Sequence, residues 1–230
     1  MNAPITLLIL CEGQSEEMFV KRVLTPHLVQ KNIYPIATII NTKKTNYGAN
    51  HKGGIATWGK VNMDLKELLK NSHAWVTTLI DFYALPEDSP KPEQMPSANT
   101  IEVVQSTQQA IKNDAQNRGQ NIDRFIPFLS LHELEAWVFS DVSTLCEHFQ
   151  CTSYTKSQIQ DLLHSVHGNP ESINHGAETH PKKRLQKWFQ GYSEKADSVT
   201  LLEKIGIEQI RSSCPHFNNW LTQIEHITVY

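Results

Sequence analysis

The sequence predicts an α/β fold built on a parallel sheet, on three observations. Near-continuous apolar runs cover Ile5 to Cys11, Tyr34 to Ile40 and Ala74 to Ile80; amphipathic helical stripes lie between them; and polar turn-forming or acidic residues stand where each run stops. Strands buried on both faces read as unbroken apolar stretches, and parallel neighbours need helical crossovers. The alternation therefore implies about four parallel strands flanked by helices.

The first run ends in Glu12-Gly13-Gln14. Ser15 suits an N-cap, Glu16 and Glu17 suit the positive end of a helix, and Phe19, Val20, Val23 and Leu24 form its apolar stripe before Pro26. After the second run, Asn41 to Gly54 is polar with glycines at 48, 53 and 54, and reads as a loop. Trp58, Val61, Leu65, Leu68 and Leu69 mark the next helix, ahead of a strand that stops at Asp81. Four prolines between Pro86 and Pro96 make an irregular connection to a helix carrying Ile101, Val104, Ile111 and Ala115, and Arg124 to Leu131 reads as a fourth strand. From about residue 133 the pattern turns helical. The organisation expected is an α/β domain over residues 1–140 with a helical extension over 141–230 packed on it.

Composition narrows the function classes. A chain of 230 residues supports one sizeable core, and 21 Lys+Arg against 24 Asp+Glu give a formal charge of -3. No chain-wide basic field draws in nucleic acid, so any such contact needs a local patch or a partner protein. The four cysteines, Cys11, Cys146, Cys151 and Cys214, lack the spacing of a zinc site or redox pair and read as reduced thiols. The first apolar run is too short for a bilayer and has no basic leader, so a cytoplasmic protein without a membrane segment is expected.

In open parallel sheets, ligands bind outside the carboxyl ends of the strands. That rule selects Glu12 after the first strand, Asp81 after the third, and Glu133 with Glu135 after the fourth, with Glu16 one helical turn beyond Glu12. Carboxylates gathered in a partly dry cleft raise one another's pKa, and a divalent cation with a preference for oxygen, Mg²⁺ or Mn²⁺, relieves that cost. Each acid also has a plainer role: Glu12 and Glu16 can face a helix N-terminus, Asp81 can form a turn, and Glu133 and Glu135 can be first-turn helix acids. His132-Glu133-Leu134-Glu135-Ala136 begins like a zinc-protease helix but has Ala136 where the second histidine belongs, and neither a phosphate loop nor a dinucleotide fingerprint occurs. Lys52, beside His51 between Gly48 and Gly54, is a candidate phosphate contact. His175 and His180 lie in a polar loop, where histidines are usually only solvated. Lys182, Lys183 and Arg184 follow Pro181 at a helix start; they form either a solvated face or a phosphate-binding patch, the latter if the segment folds over the acidic crevice.

Leu8-Ile9-Leu10-Cys11-Glu12-Gly13-Gln14-Ser15-Glu16 closely resembles the first motif of TOPRIM domains, and Leu79-Ile80-Asp81-Phe82-Tyr83 resembles the second, normally Asp-x-Asp. Together with Phe125 to Phe128, His132 to Trp137, Pro181 to Leu185 and Cys214 to Phe217, the chain resembles the bacterial TOPRIM-like family catalogued as domain of unknown function 4276. The resemblance implies kinship with the TOPRIM domains of topoisomerases, primases and overcoming-lysogenisation-defect nucleases, which bind Mg²⁺ with acids and cleave or join phosphodiesters. By that likeness Glu12 matches the general acid/base, Asp81 the first metal ligand and Glu16 the extra acid of the nuclease branch. Tyr83 departs from the pattern, since a protonated phenol is a poor Mg²⁺ ligand. Either Glu133 or Glu135 replaces the lost carboxylate, or the metal site is degenerate.

Three functions follow as expectations: a metal-dependent nuclease acting on DNA or RNA, a non-catalytic binding or adaptor module, and a small-molecule phosphatase or phosphotransferase. The resemblance also implies a phage-defence or mobile-element setting with a separate ATPase partner. The oligomeric state stays open.

Overall fold

The computed structural model describes residues 3–40, 55, 57–93, 100–174 and 176–228, the side chain of residue 195 excepted. Lys52, His51 and His175 lie outside the described residues.

The sheet is parallel throughout. Strands β1 (Ile5–Cys11), β2 (Ile33–Ile39), β3 (Trp75–Asp81) and β4 (Phe125–Ile126) lie in the order β2-β1-β3-β4, and β5 (Leu129–Ser130) pairs with the end of β3. Cys11 sits opposite Leu79, and the Glu12 N–H donates to the Leu79 carbonyl at 3.2 Å. The carboxyl ends of β1 and β3 therefore finish side by side, with Glu12 next to Asp81.

The fourth strand, expected as one run from Arg124 to Leu131, is two short pieces, because Pro127 has no N–H to offer the ladder. Two buried threonines of β3 bridge the gap. Thr77 Oγ1 donates to the Ile126 carbonyl at 2.6 Å, while Thr78 Oγ1 donates to the Phe128 carbonyl at 2.7 Å and accepts from its N–H at 2.8 Å.

The first helix also differs from expectation at both ends. Helix α1 (Gln14–Phe19) is capped at Gly13 rather than Ser15, and the Glu16 carboxylate accepts the Gly13 N–H at 3.0 Å. Pro26 does not end it: a π-helical turn over Val20–Leu24 leads into α2 (Thr25–Val29), with Pro26 in the first turn of α2. The wider turn absorbs the proline's missing donor and its bulk, and the Thr25 hydroxyl donates to the Val20 carbonyl at 2.7 Å.

One face of the sheet (Leu10, Val76, Ile80, Phe125) is covered by α3 (Trp58–Leu69) and α4 (Thr100–Asn117) through Val61, Leu65, Val104 and Ile111. The other face (Leu7, Ile9, Leu79, Phe128) packs on α1 and on the later helices α5 (Glu135–Val138), α6 (Val142–Phe149), α7 (Ser153–Ser165), α8 (Pro181–Trp188), α9 (Val199–Ile205), α10 (Ile207–Ser213) and α11 (Pro215–Glu225). Trp220 of α11 stacks on Phe128 at 4.4 Å and 12°, and its indole donates to Thr77 Oγ1 at 2.9 Å. Buried Glu171 accepts the His216 and Phe217 N–H groups at 2.8 and 3.1 Å, holding the start of α11. The helical region thus shares one continuous core with β1, and so braces the sheet edge where the acids sit. Among the described residues no helix is long and apolar enough to cross a membrane.

Candidate functional site

Half-buried Glu12 leaves β1 just as β3 delivers Asp81 beside it. The Asp81 N–H donates to Glu12 Oε2 at 3.2 Å, and the Tyr83 N–H donates to Asp81 Oδ1 at 2.9 Å, so each carboxylate is oriented by a backbone donor from the β3 end. Burial raises the pKa of both. The charge of Glu133 adds to each rise, Glu194 adds at Glu12, and Glu12 and Glu16 add at Asp81. Glu16 is pushed up to about 7, chiefly by burial, with Glu12 and Glu135 contributing.

The two acids that follow β5 have different surroundings. Glu135, in the single turn of α5, is only 1% exposed, and its Oε1 accepts the Tyr192 hydroxyl at 2.6 Å and the Ser198 hydroxyl at 3.1 Å. Burial lifts it to about 7 against the lowering effect of the Tyr192 bond. Glu133 has a 30% exposed side chain, with His180 Nδ1 at 3.4 Å and Lys182 Nζ at 3.8 Å. Its charge is felt at both Glu12 and Asp81, whereas that of Glu135 is felt at Glu16. Of the two candidates to replace the missing second aspartate, Glu133 is the one facing the crevice.

Helix α8 folds back over these acids. The Lys182 ammonium pairs with Glu194 as well as Glu133; burial lowers its pKa, but the Glu194 hydrogen bond and the surrounding carboxylates raise it more. His180 is shifted down by burial and then by Lys182 and Lys183. Lys183 shares the first turn of α8 with Lys182. Arg184 turns elsewhere: its guanidinium donates to the Thr179 carbonyl at 2.5 Å and to Asn174 Oδ1 at 2.8 Å, bracing the loop before α8.

The fold thus gathers Glu12, Glu16, Asp81, Glu133, Glu135 and Lys182 into one region. It adds Glu194, Tyr192 and Ser198, which the sequence reading missed; Tyr192 and Ser198 find Glu135 some sixty residues away, and Glu194 meets Lys182 only through the fold of the intervening loop. Hard carboxylate oxygens at a strand-end crevice suit Mg²⁺ or Mn²⁺. Among the described residues, however, no three His, Cys, Asp or Glu side chains stand together as a ready-made metal cage. Such a donor set fits a cation that takes one or two carboxylates and completes its shell with waters and substrate phosphate, the usual habit of Mg²⁺. A surface concavity of about 470 Å³ between residues 90–93 and α4 contains none of these acids.

Neither a curated protein nor a solved structure matches the chain. A family model does, over residues 11–225, which takes in nearly all of the acids and helices just described. The chain belongs to the family described as Domain of unknown function (DUF4276).

Proposed function

We propose that this protein is a TOPRIM-like, metal-dependent phosphodiester hydrolase acting on nucleic acid. The observation that carries the reading is the side-by-side finish of β1 and β3, which sets Glu12 on the Asp81 N–H, with the charge of Glu133 acting on both and all three acids shifted upward, at the edge where parallel sheets bind ligands. Asp81 and Glu133 would hold Mg²⁺ or Mn²⁺, which when bound supplies positive charge to the phosphate. Glu12, oriented by the Asp81 N–H and made more basic by burial, takes the proton from an attacking water. Lys182 meets the phosphate by exchanging its contact with Glu194 for a substrate oxygen, and Lys183 beside it adds to the field. Glu16 and Glu135 stand behind as uncompensated acids that sharpen the demand for a cation. A nearby ATPase partner and a phage-defence role belong to the same reading.

The test is cleavage of labelled DNA and RNA by the purified full chain with Mn²⁺ or Mg²⁺. Metal-dependent cleavage abolished by Glu12→Gln and by Asp81→Asn supports the reading; a nuclease-free preparation that cuts nothing, alone or with its ATPase neighbour, counts against it.

A second reading, a non-catalytic binding or adaptor module, draws on the ion pairs of Lys182, which already neutralise part of the acidic cluster, and on Tyr83 in place of an aspartate. It predicts no saturable uptake of Mn²⁺.

A further inference from the structure

Tyr83 lies two residues beyond Asp81 in the single 3-10 turn Phe82–Ala84, and at 38% exposure it is one of the few large aromatic side chains, among the described residues, that reach solvent. Its ring is held in place. It stacks on the His132 imidazole at 5.3 Å and 25°, and the neighbouring Phe82 ring lies steeply inclined to it at 5.2 Å and 70°. Buried His132 immediately precedes Glu133, and the Tyr83 N–H donates to Asp81 Oδ1. The stack therefore ties the end of β3 that carries Asp81 to the segment that carries Glu133, and sets a partly exposed aromatic ring two residues beyond Asp81.

We propose that Tyr83, backed by His132, is a stacking platform for an unpaired nucleobase, so that the site takes single-stranded nucleic acid whose adjoining phosphate lies against Asp81, Glu133 and Lys182. This rests on the phosphodiester reading above and deepens it. Bases in a duplex already stack on one another and offer no face to a protein ring, whereas every unpaired base does, whatever its identity. A ring already fixed by a neighbour loses little freedom when a base lands on it. A hydrocarbon side chain at position 83 would fill the same space without the π surface, and the phenol hydroxyl is not needed for stacking.

The experiment measures fluorescence anisotropy of labelled oligothymidylate, oligouridylate and a DNA duplex against the full chain in Ca²⁺. The tighter-binding single strand serves as the test strand. Tyr83→Phe and Tyr83→Trp are expected to bind it within about twofold of the unaltered protein, and Tyr83→Leu roughly tenfold more weakly, with duplex affinity changed less than about twofold. A Tyr83→Leu protein that binds the single strand as tightly as the unaltered one overturns the platform, as does equal loss on single strand and duplex, which marks general damage to the site. If the unaltered protein binds no nucleic acid at all, the phosphodiester reading falls and takes the platform with it. Cleavage by the unaltered protein alongside an indifferent Tyr83→Leu removes the platform alone.

Discussion

Two of the regions that shelter carboxylates in this molecule are built in opposite ways. Around Glu225, at the end of α11, the Arg211 guanidinium reaches both carboxylate oxygens at 3.1 Å, His27 Nε2 lies at 2.6 Å and Lys31 Nζ at 3.5 Å. Burial acts to raise this acid, yet its His27 and Arg211 bonds and the charges of Arg211 and Lys31 leave it below its ordinary pKa. At the carboxyl edge of the sheet Glu12, Glu16, Asp81, Glu133 and Glu135 are all shifted upward. Among the described residues, Lys182 is the one lysine or arginine within ion-pair reach of these five, and it is shared with Glu194. Around Glu225 this fold supplies counter-charge, and buried Glu171, also pushed up to about 7, is met by two backbone N–H groups instead; at the crevice the clustered acids leave a deficit that protons or a cation must fill.

The contrast is sharpest in activity. Glu12→Gln or Asp81→Asn should lower cleavage of labelled nucleic acid in Mn²⁺ by at least about 10²-fold, while Glu225→Gln leaves it within about twofold. Equal losses in all three would erase the distinction between the regions.

Stability should separate them next, with opposite signs. Glu135 has a folded pKa of about 7 against an ordinary 4.5, so between those values the folded state holds the extra proton and stability falls as pH rises. Glu135→Gln should therefore gain up to about 3 kcal/mol at pH 8 by urea denaturation, and almost nothing near pH 4. Glu225 behaves in the reverse sense. Its lowered pKa contributes stability that is present above the unfolded value and lost as pH falls through the folded one. Glu225→Gln should cost about 1 kcal/mol at pH 7, a gap that closes in acid. The smallest change is expected for Lys182→Met, a loss of roughly 0.5 kcal/mol because the pair is partly solvated. A Lys182→Met protein that instead gained stability would show that the lysine is itself poorly matched to the crevice.

Much of the fold was legible because β1 and β3 are near-continuous apolar runs that stop at Glu12 and Asp81, and a parallel sheet brings such stops together without any knowledge of distant contacts. The interruption at Pro127 was legible in principle, since a missing N–H must break a ladder. The compensation by Thr77 and Thr78 was not, because it depends on register. Pro26 misled for a similar reason: the π turn Val20–Leu24 just before it is a cooperative adjustment of the helix. At the site, Glu133 and Glu135 could not be separated by sequence, being two residues apart in one short segment. What divides them is Tyr192 and Ser198 on one side and Lys182 on the other. The basic run Lys182-Lys183-Arg184 likewise splits in space, with Lys182 turned to the acids and Arg184 to its own loop.

Calorimetric titration of the full chain with Mn²⁺ near pH 7, repeated in two buffers of different ionisation heat, tests the uncompensated crevice most directly. The account predicts saturable uptake accompanied by proton release, because a bound cation opposes the upward shifts of Asp81 and Glu16, and loss of both signals in Asp81→Asn but not in Glu225→Gln. Heat that never saturates, or binding indifferent to Asp81→Asn, would contradict it.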